Sequence, residues 1–343
     1  MVGGPSDKAH ATRKRIMGNI YSKSVLVTSP HMRTIASHVL GRLVKELDRV
    51  ATGRDMGVIE IFNFNAAVNN DFSSAYLFGL SCATNFIENE EQRKEYFQHH
   101  GIFLEQAKGF KKAQQWVQNY TLDQCESVRR VEKQGTNASE AVVYKQLTGK
   151  GLQGVDLASE LLDHLIAGSE APRTICTYLQ WELSKNPSMQ SQLRQELHLV
   201  LPTSSDELVP DFRALDALPL LDAVLMETLR RWAATPGPQW RITPPEGAVL
   251  HGTYVPGGVQ IHSSVQVMHR NEDVFPAGEE WKPERWLDAD ETDLENMRRY
   301  FWAFSKGPRA CTGKDFTIFG EFVHARSHAS DDNDDDKKWL TKI

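Results

Sequence analysis

The sequence has few cysteines, no long apolar run and no excess of positive charge. Each shortage excludes a class of protein. Four cysteines, Cys82, Cys125, Cys176 and Cys311, are scattered over 343 residues. That is too few for a disulfide framework and points to a reducing compartment. No stretch reaches the roughly 18–20 consecutive apolar residues of a membrane span. The opening MVGGPSDKAHATRKRIMG carries no apolar core of a secretory signal. Lys and Arg number 39 against 45 Asp and Glu, a net charge of -6. A globally basic nucleic-acid binder is therefore excluded. With 24% charged and 9% aromatic residues the chain as a whole is not disordered. Its length suffices for one large domain or two ordinary ones. On these grounds a soluble intracellular protein is expected.

What is present reads mostly as helix. Ile35, Val39, Leu40, Leu43, Val44 and Leu47 recur at helical spacing in residues 32–50. Residues 56–88 are apolar and aromatic, and 89–115 are charged and amphipathic. Residues 133–150 are expected to be a loop. A strong helical pattern begins at Asp156 and runs to the stop signal Asn186-Pro187. Pro172 lies inside it, lacks an N–H and crowds the carbonyl of Gly168, so a bend is expected near 168–172. Further helices are expected over 188–201 and 215–232. From Pro236 to Pro276 the texture turns to Pro, Gly and short apolar alternations, which suggests short strands and hairpins. Residues 276–313 read as an extended, loop-rich segment. The end, SDDNDDDKKWLTKI, reads as a solvated or disordered acidic tail.

The chemistry concentrates in Phe304-Ser-Lys-Gly307-Pro-Arg309-Ala-Cys311-Thr-Gly313. Cys311 lies among glycines and the cations Lys306, Arg309 and Lys314, just before a stretch able to start a helix. Such surroundings favour the thiolate. One thiolate with no second Cys or His nearby is a poor zinc site. It is a good axial ligand for haem iron. The alternative for a lone Cys is a buried structural thiol.

That alternative is weak because Cys311 does not stand alone. Phe304, Gly307, Arg309, Cys311 and Gly313 match FxxGxRxCxG, the signature of the cytochrome P-450 family of haem-thiolate monooxygenases. Five fixed positions coincide by chance about once in ten million placements. Glu227-Thr-Leu-Arg230 resembles the family's ExxR helix, where the spacing sets carboxylate and guanidinium on one face. Pro283-Glu-Arg285-Trp286 resembles its PERW segment. The resemblance makes Glu227, Arg230 and Arg285 a structural ion-pair network that braces the Cys loop.

Softer matches extend the resemblance. Trp240-Arg241-Ile-Thr-Pro and Gly252-Thr-Tyr-Val-Pro-Gly-Gly look like the family's strand region after ExxR, and His269-Arg270 and Phe275-Pro276 fit the stretch before PERW. By the resemblance Arg241 and Arg309 meet haem propionates, a task suited to guanidinium. Asp7 to Arg15 resembles a helix beside the haem, with His10 and Lys14 as propionate contacts. Fungal members often have His there, so a fungal source, in secondary metabolism, is expected. Ala167-Gly168-Ser169-Glu170-Ala171-Pro172 stands where the family has Ala/Gly-Gly-x-Asp/Glu-Thr. The small residues would let backbone pass close to a flat cofactor. Glu170 is then the acid of proton delivery. The threonine is replaced by Ala171, and Thr174, one turn on, is a candidate substitute. His99-His100 has no carboxylate or Cys at metal spacing and reads as surface.

The resemblance thus implies a mostly α (α+β) fold, with a helical main domain and short strands after the ExxR helix. It implies haem b on Cys311, an NADPH-dependent reductase and a small organic substrate, with no nucleic-acid partner. The match spans residues 1–322 as a partial domain, and 323–343 depart from the family. A truncated or misread product is expected. A full-length relative would sit at the endoplasmic reticulum membrane on the cytosolic face; this chain, with no anchor read in it, is expected in the cytoplasm. Two alternatives stay open: a non-catalytic haem-binding remnant, and a haem-thiolate isomerase or dehydratase.

Overall fold

In the computed structural model of the chain, residues 7–52, 58–135, 140–200 and 209–327 are described, the side chains of 7–10 and 322–327 excepted. Nine helices come first: α1 (Asp7–Met17), α2 (Lys23–Thr28), α3 (Pro30–Thr52), α4 (Ile61–Phe78), α5 (Glu90–Leu104), α6 (Phe110–Lys133), α7 (Val142–Gly149), α8 (Gly154–Lys185) and α9 (Pro187–His198). Then come α10 (Phe212–Asp216) and α11 (Pro219–Arg231), followed by β1 (Pro238–Ile242), β2 (Ala248–Leu250), β3 (Thr253–Val255) and β4 (Gln260–Ser264). The order closes with α12 (Val265–His269), α13 (Arg285–Asp288), α14 (Glu291–Tyr300) and α15 (Lys314–Ser327). Among the described residues no helix is long and apolar enough to cross a membrane. The acidic run of the tail lies outside them.

The chain divides into two compact units, residues 1–218 with 312–343, and residues 219–311. The larger unit is helical and centres on α4 against α8. α4 is buried along almost its whole length, polar residues included. Several of those polar groups find partners, as burial demands, although neither amide atom of buried Asn70 does. Asn65 Nδ2 donates to Thr177 Oγ1 (3.0 Å) and to Gln180 Oε1 (2.8 Å). Asp71, fully buried, accepts from Thr84 Oγ1 (2.6 Å), Phe86 N (2.8 Å) and Ile87 N (3.2 Å), and faces Arg42 at 3.7 Å.

α8 runs as one helix through Pro172. Proline supplies no N–H to the carbonyl four residues back. That carbonyl, on Gly168, accepts instead from Ser73 Oγ of α4 at 3.2 Å. A Cβ on Gly168 would stand 2.4 Å from Ser73 Oγ. Packing against α4 therefore also requires a residue without a side chain at 168. α8 ends at Asn186, whose Nδ2 donates to the Glu182 carbonyl (2.8 Å), and Pro187 opens α9 at a position where its missing N–H costs nothing.

Two expected loops contain helices. α7 buries Val143, Tyr144 and Leu147 inside residues 133–150, of which 136–139 lie outside the described residues. α14 lies inside residues 276–313; Asp290 caps it by accepting from Asp293 N (2.9 Å). Its Leu294, Met297 and Tyr300 join Ala223, Val274, Phe275 and Trp286 in the core of the smaller unit. The expected strands are present there. β1 pairs antiparallel with β4, Trp240 opposite His262, and β2 with β3, Val249 opposite Tyr254.

Candidate functional site

The smaller unit carries one buried polar network, on α11. Glu227 and Arg230 are both buried and face each other because three residues make nearly one helical turn. The pair is bidentate: Arg230 Nε donates to Glu227 Oε2 and Nη2 to Oε1, both at 2.8 Å. Glu227 also accepts from Lys282 N (2.9 Å), Arg285 Nε (3.1 Å) and Trp286 Nε1 (3.0 Å). The remaining guanidinium N–H groups of Arg230 go to carbonyls of His269 (2.6 Å), Gly278 (2.8 Å) and Glu280 (2.9 Å). Arg285 Nη1 reaches the Pro276 carbonyl at 2.9 Å. The three residues assigned to the network are thus together, and the backbone between His269 and Trp286 is folded around them.

His269 connects this network to the Cys loop. Trp302 N donates to His269 Nε2 at 2.8 Å, so Nε2 carries no proton. Nδ1 then holds it and donates to the Arg230 carbonyl at 2.9 Å. Burial pushes the imidazole down to about 4, so it is neutral at pH 7. The chain continues from Trp302 into the Cys turn. Ser305 N donates to the Trp302 carbonyl (2.9 Å), Ala310 N to Gly307 O (3.0 Å), and Cys311 N to Phe304 O (2.8 Å). Gly307 takes φ +69°, with no atom within 4 Å of where a Cβ would be. Cys311 on this turn is exposed, while Cys82, Cys125 and Cys176 are buried.

These features fit haem. One exposed sulfur on a braced turn would suit an iron whose remaining ligands come largely from a macrocycle. Among the described residues no three His, Cys, Asp or Glu side chains cluster to hold a bare ion. Arg309 closes the short 3₁₀ turn Gly307–Arg309 and is half-buried. Arg241, on β1, donates from Nη1 to the Trp240 carbonyl (2.7 Å) and from Nη2 to Ser305 Oγ (3.4 Å), which ties that strand to the same loop. Lys306 Nζ donates to the carbonyls of Arg298 (2.7 Å) and Arg299 (3.0 Å), at the end of α14.

The larger unit carries the remaining candidates. Glu170 lies in the middle of α8, paired with Arg173 one turn on. Its Oε1 stands 3.4 Å from His100 Nδ1 of α5. His100 is buried, not on the surface as its sequence neighbourhood suggested. Burial raises the Glu170 carboxyl and the charge of Arg173 opposes that. Burial, then Arg173, lowers His100 to about 4. Thr174 Oγ1 donates to the Glu170 carbonyl at 3.1 Å, so its proton is committed to the backbone. On α1, Arg13 Nη1 donates to Glu160 Oε2 of α8 (2.9 Å), which anchors the helix that carries half-buried Lys14. The side chain of His10 lies outside the described residues. Gly313 precedes α15.

Sequence reasoning missed His269 as a strut and His100 as the neighbour of Glu170. The His269-Arg270 match carries no sign of the strut role and His100 has no motif signal, and the partners of both are distant in the chain.

The sequence model of the Cytochrome P-450 family matches residues 4–323. The cytochrome P-450 monooxygenase avaI of Aspergillus versicolor is 27% identical over 338 residues, covering 94% of this chain and 81% of the relative. The cytochrome P-450 monooxygenase ankB of Aspergillus thermomutatus is 35% identical over 184 residues, 54% of this chain and 34% of the relative. The chain thus spans most of one curated relative and about a third of another.

Proposed function

This chain belongs to the cytochrome P-450 family, and on that premise we propose that it oxidises a small organic substrate with molecular oxygen and electrons from an NADPH-dependent reductase. The observation that carries the reading is the exposed Cys311 thiol on a turn braced back to the buried Glu227–Arg230 pair. Haem b, held through Cys311, supplies oxygen activation, with thiolate donation favouring O–O cleavage. Every other part is this chain's own. Arg309 and Arg241 bind the propionate carboxylates in this reading, a task for a permanently charged, forked donor. By the family resemblance Lys14 and His10 are further propionate contacts. Phe304, Gly307 and Gly313 shape the turn. Glu170 holds and passes the protons that oxygen cleavage consumes. Its pairing with Arg173 and its burial pull its acidity in opposite directions, which suits an acid that must both keep and release a proton.

The test is spectroscopic. The full chain, loaded with haem, is reduced without air and exposed to carbon monoxide. The expected Soret band is that of thiolate-ligated iron, and Cys311→Ser abolishes it. Failure of the wild-type chain to take up haem overturns the reading and favours a non-catalytic remnant. A second reading, an isomerase or dehydratase that needs no oxygen, draws on Ala171 and on the committed hydroxyl of Thr174. Substrate turnover in the absence of oxygen and NADPH would establish it.

A further inference from the structure

Four buried polar atoms without a hydrogen-bond partner gather around one carboxylate: Glu170 Oε1, Arg173 Nε, His100 Nε2 and Tyr96 Oη. Such atoms are rare in folded proteins, and a cluster of them calls for an explanation. The geometry is specific. Arg173 takes Glu170 Oε2, and Arg173 itself lies over the Phe62 ring at 4.2 Å. Oε1 is left facing His100 Nδ1 at 3.4 Å. The imidazole is stacked on Tyr96, ring centroids 5.3 Å apart and 20° from parallel, so its plane is set by α5. Tyr96 in turn packs on Tyr120 of α6 at 5.1 Å.

Position 171, next to the acid, is an alanine and offers no hydroxyl. The Thr174 proton is given to a carbonyl. Arg173 from its own helix and His100 from α5 are the side chains whose nitrogens approach the carboxylate. We propose that His100 is a positioning residue for Glu170, its Nδ1–H closing from the 3.4 Å approach to donate to Oε1 so that an acid–imidazole pair stands in for the acid–hydroxyl pair. This rests on the role given above to Glu170 in proton delivery. The cation Arg173 makes Oε2 a poor seat for a proton. The proton that Glu170 picks up and releases therefore sits on Oε1, the oxygen His100 holds in place. The transfer moves one proton at Oε1 and leaves the imidazole neutral throughout, consistent with its burial.

The groups that face Glu170 are Arg173 on α8, His100 and Tyr96 on α5, and Tyr120 behind Tyr96 on α6. On α4 the Ser73 hydroxyl is spent on the Gly168 carbonyl. Asp71 of the same helix is enclosed by loop N–H groups and Arg42. Neither α4 group replaces His100 as a donor to Oε1.

The ferric holoenzyme is titrated by infrared difference spectroscopy. The carboxyl C=O band of Glu170 is identified by its loss in Glu170→Gln. A donor to the ionised form lowers a carboxyl pKa. His100→Gln moves the amide to the Nε2 position and withdraws the donor, so the midpoint should rise by about one pH unit. His100→Asn keeps an N–H at the Nδ1 position and should hold the midpoint within a few tenths of the wild type. Equal midpoints in both variants, whether at the wild-type value or equally displaced, overturn the proposal. The carbon monoxide spectrum of each variant is recorded alongside. A wild-type chain that lacks the thiolate Soret band fails the monooxygenase reading, whereas matching midpoints under a normal Soret band fail only His100.

Discussion

Glu227 accepts five hydrogen bonds from four residues while fully buried. A bare buried ion pair is weak evidence for stability, because desolvation offsets attraction. Glu227 differs because its oxygens also satisfy Trp286 Nε1, Lys282 N and Arg285. Glu227→Gln leaves the Arg230 guanidinium buried with half a partner and should cost about 3–5 kcal/mol, read as a shift of the urea midpoint. Replacing both residues with Leu and Met should not recover that loss, although it does for isolated pairs, since three donors stay unmatched. A double variant as stable as the wild type would show the network to be dispensable. Glu227, Arg230 and Arg285 were legible in the sequence because their spacing is a motif. His269 and His100 were not, because each acts through a partner brought near only by folding.

Helix packing explains the next level. In α8 the proline at 172 frees the Gly168 carbonyl, and Ser73 of α4 takes it. Gly168→Ala gains about 1 kcal/mol of helix propensity. Against this, its Cβ would meet Ser73 Oγ at 2.4 Å and displace the donor. A buried carbonyl left unmatched costs about 1–3 kcal/mol, and overpacking about as much again. The net effect should be a lower thermal midpoint. Adding Ser73→Gly removes the overlap, so the double variant should lose less than the sum of the two single variants; strict additivity would place the two residues out of contact. The long amphipathic helices α3, α8, α9 and α11 announce themselves by period. α14 does not, because its core stripe is only Leu294, Met297 and Tyr300 among charges. α7 does not, because eight residues carry little periodicity beside the Gly, Thr, Asn and Ser that precede them.

Protons bound by the folded chain as a whole set its stability against pH. Burial raises Glu321 from 4.5 to about 8, with the S–H of Cys176, donating at 2.9 Å, opposing it. The folded chain therefore keeps a proton that the unfolded chain loses. This contribution is complete below pH 4.5 and is lost as pH rises toward 8. Asp71, raised to about 6 chiefly by burial, acts in the same sense over 3.8 to 6. His269 and His100, lowered from 6.5 to about 4, act in the opposite sense: their contribution is complete above 6.5 and is lost as pH falls to 4. Above pH 6.5 the Glu321 slope stands without these three. Unfolding in guanidinium should show a loss of about 1.5 kcal/mol between pH 6.5 and 8, and Glu321→Gln should flatten it. An unchanged slope in that variant would mean that Glu321 ionises normally in the fold.

Some of this protein is written locally and some is not. The sequence by itself determined the Cys311 turn, the ExxR and PERW residues, the long helices and the family, because each is a pattern of residue type at fixed spacing along the chain. The tertiary structure decided what the spacing leaves open. It turned Gly168 toward Ser73, spent the Thr174 hydroxyl on a carbonyl, locked the His269 tautomer between Arg230 and Trp302, and set His100 beside Glu170. Those are contacts between residues far apart in the chain, and buried polar groups must find whichever partner the packing provides.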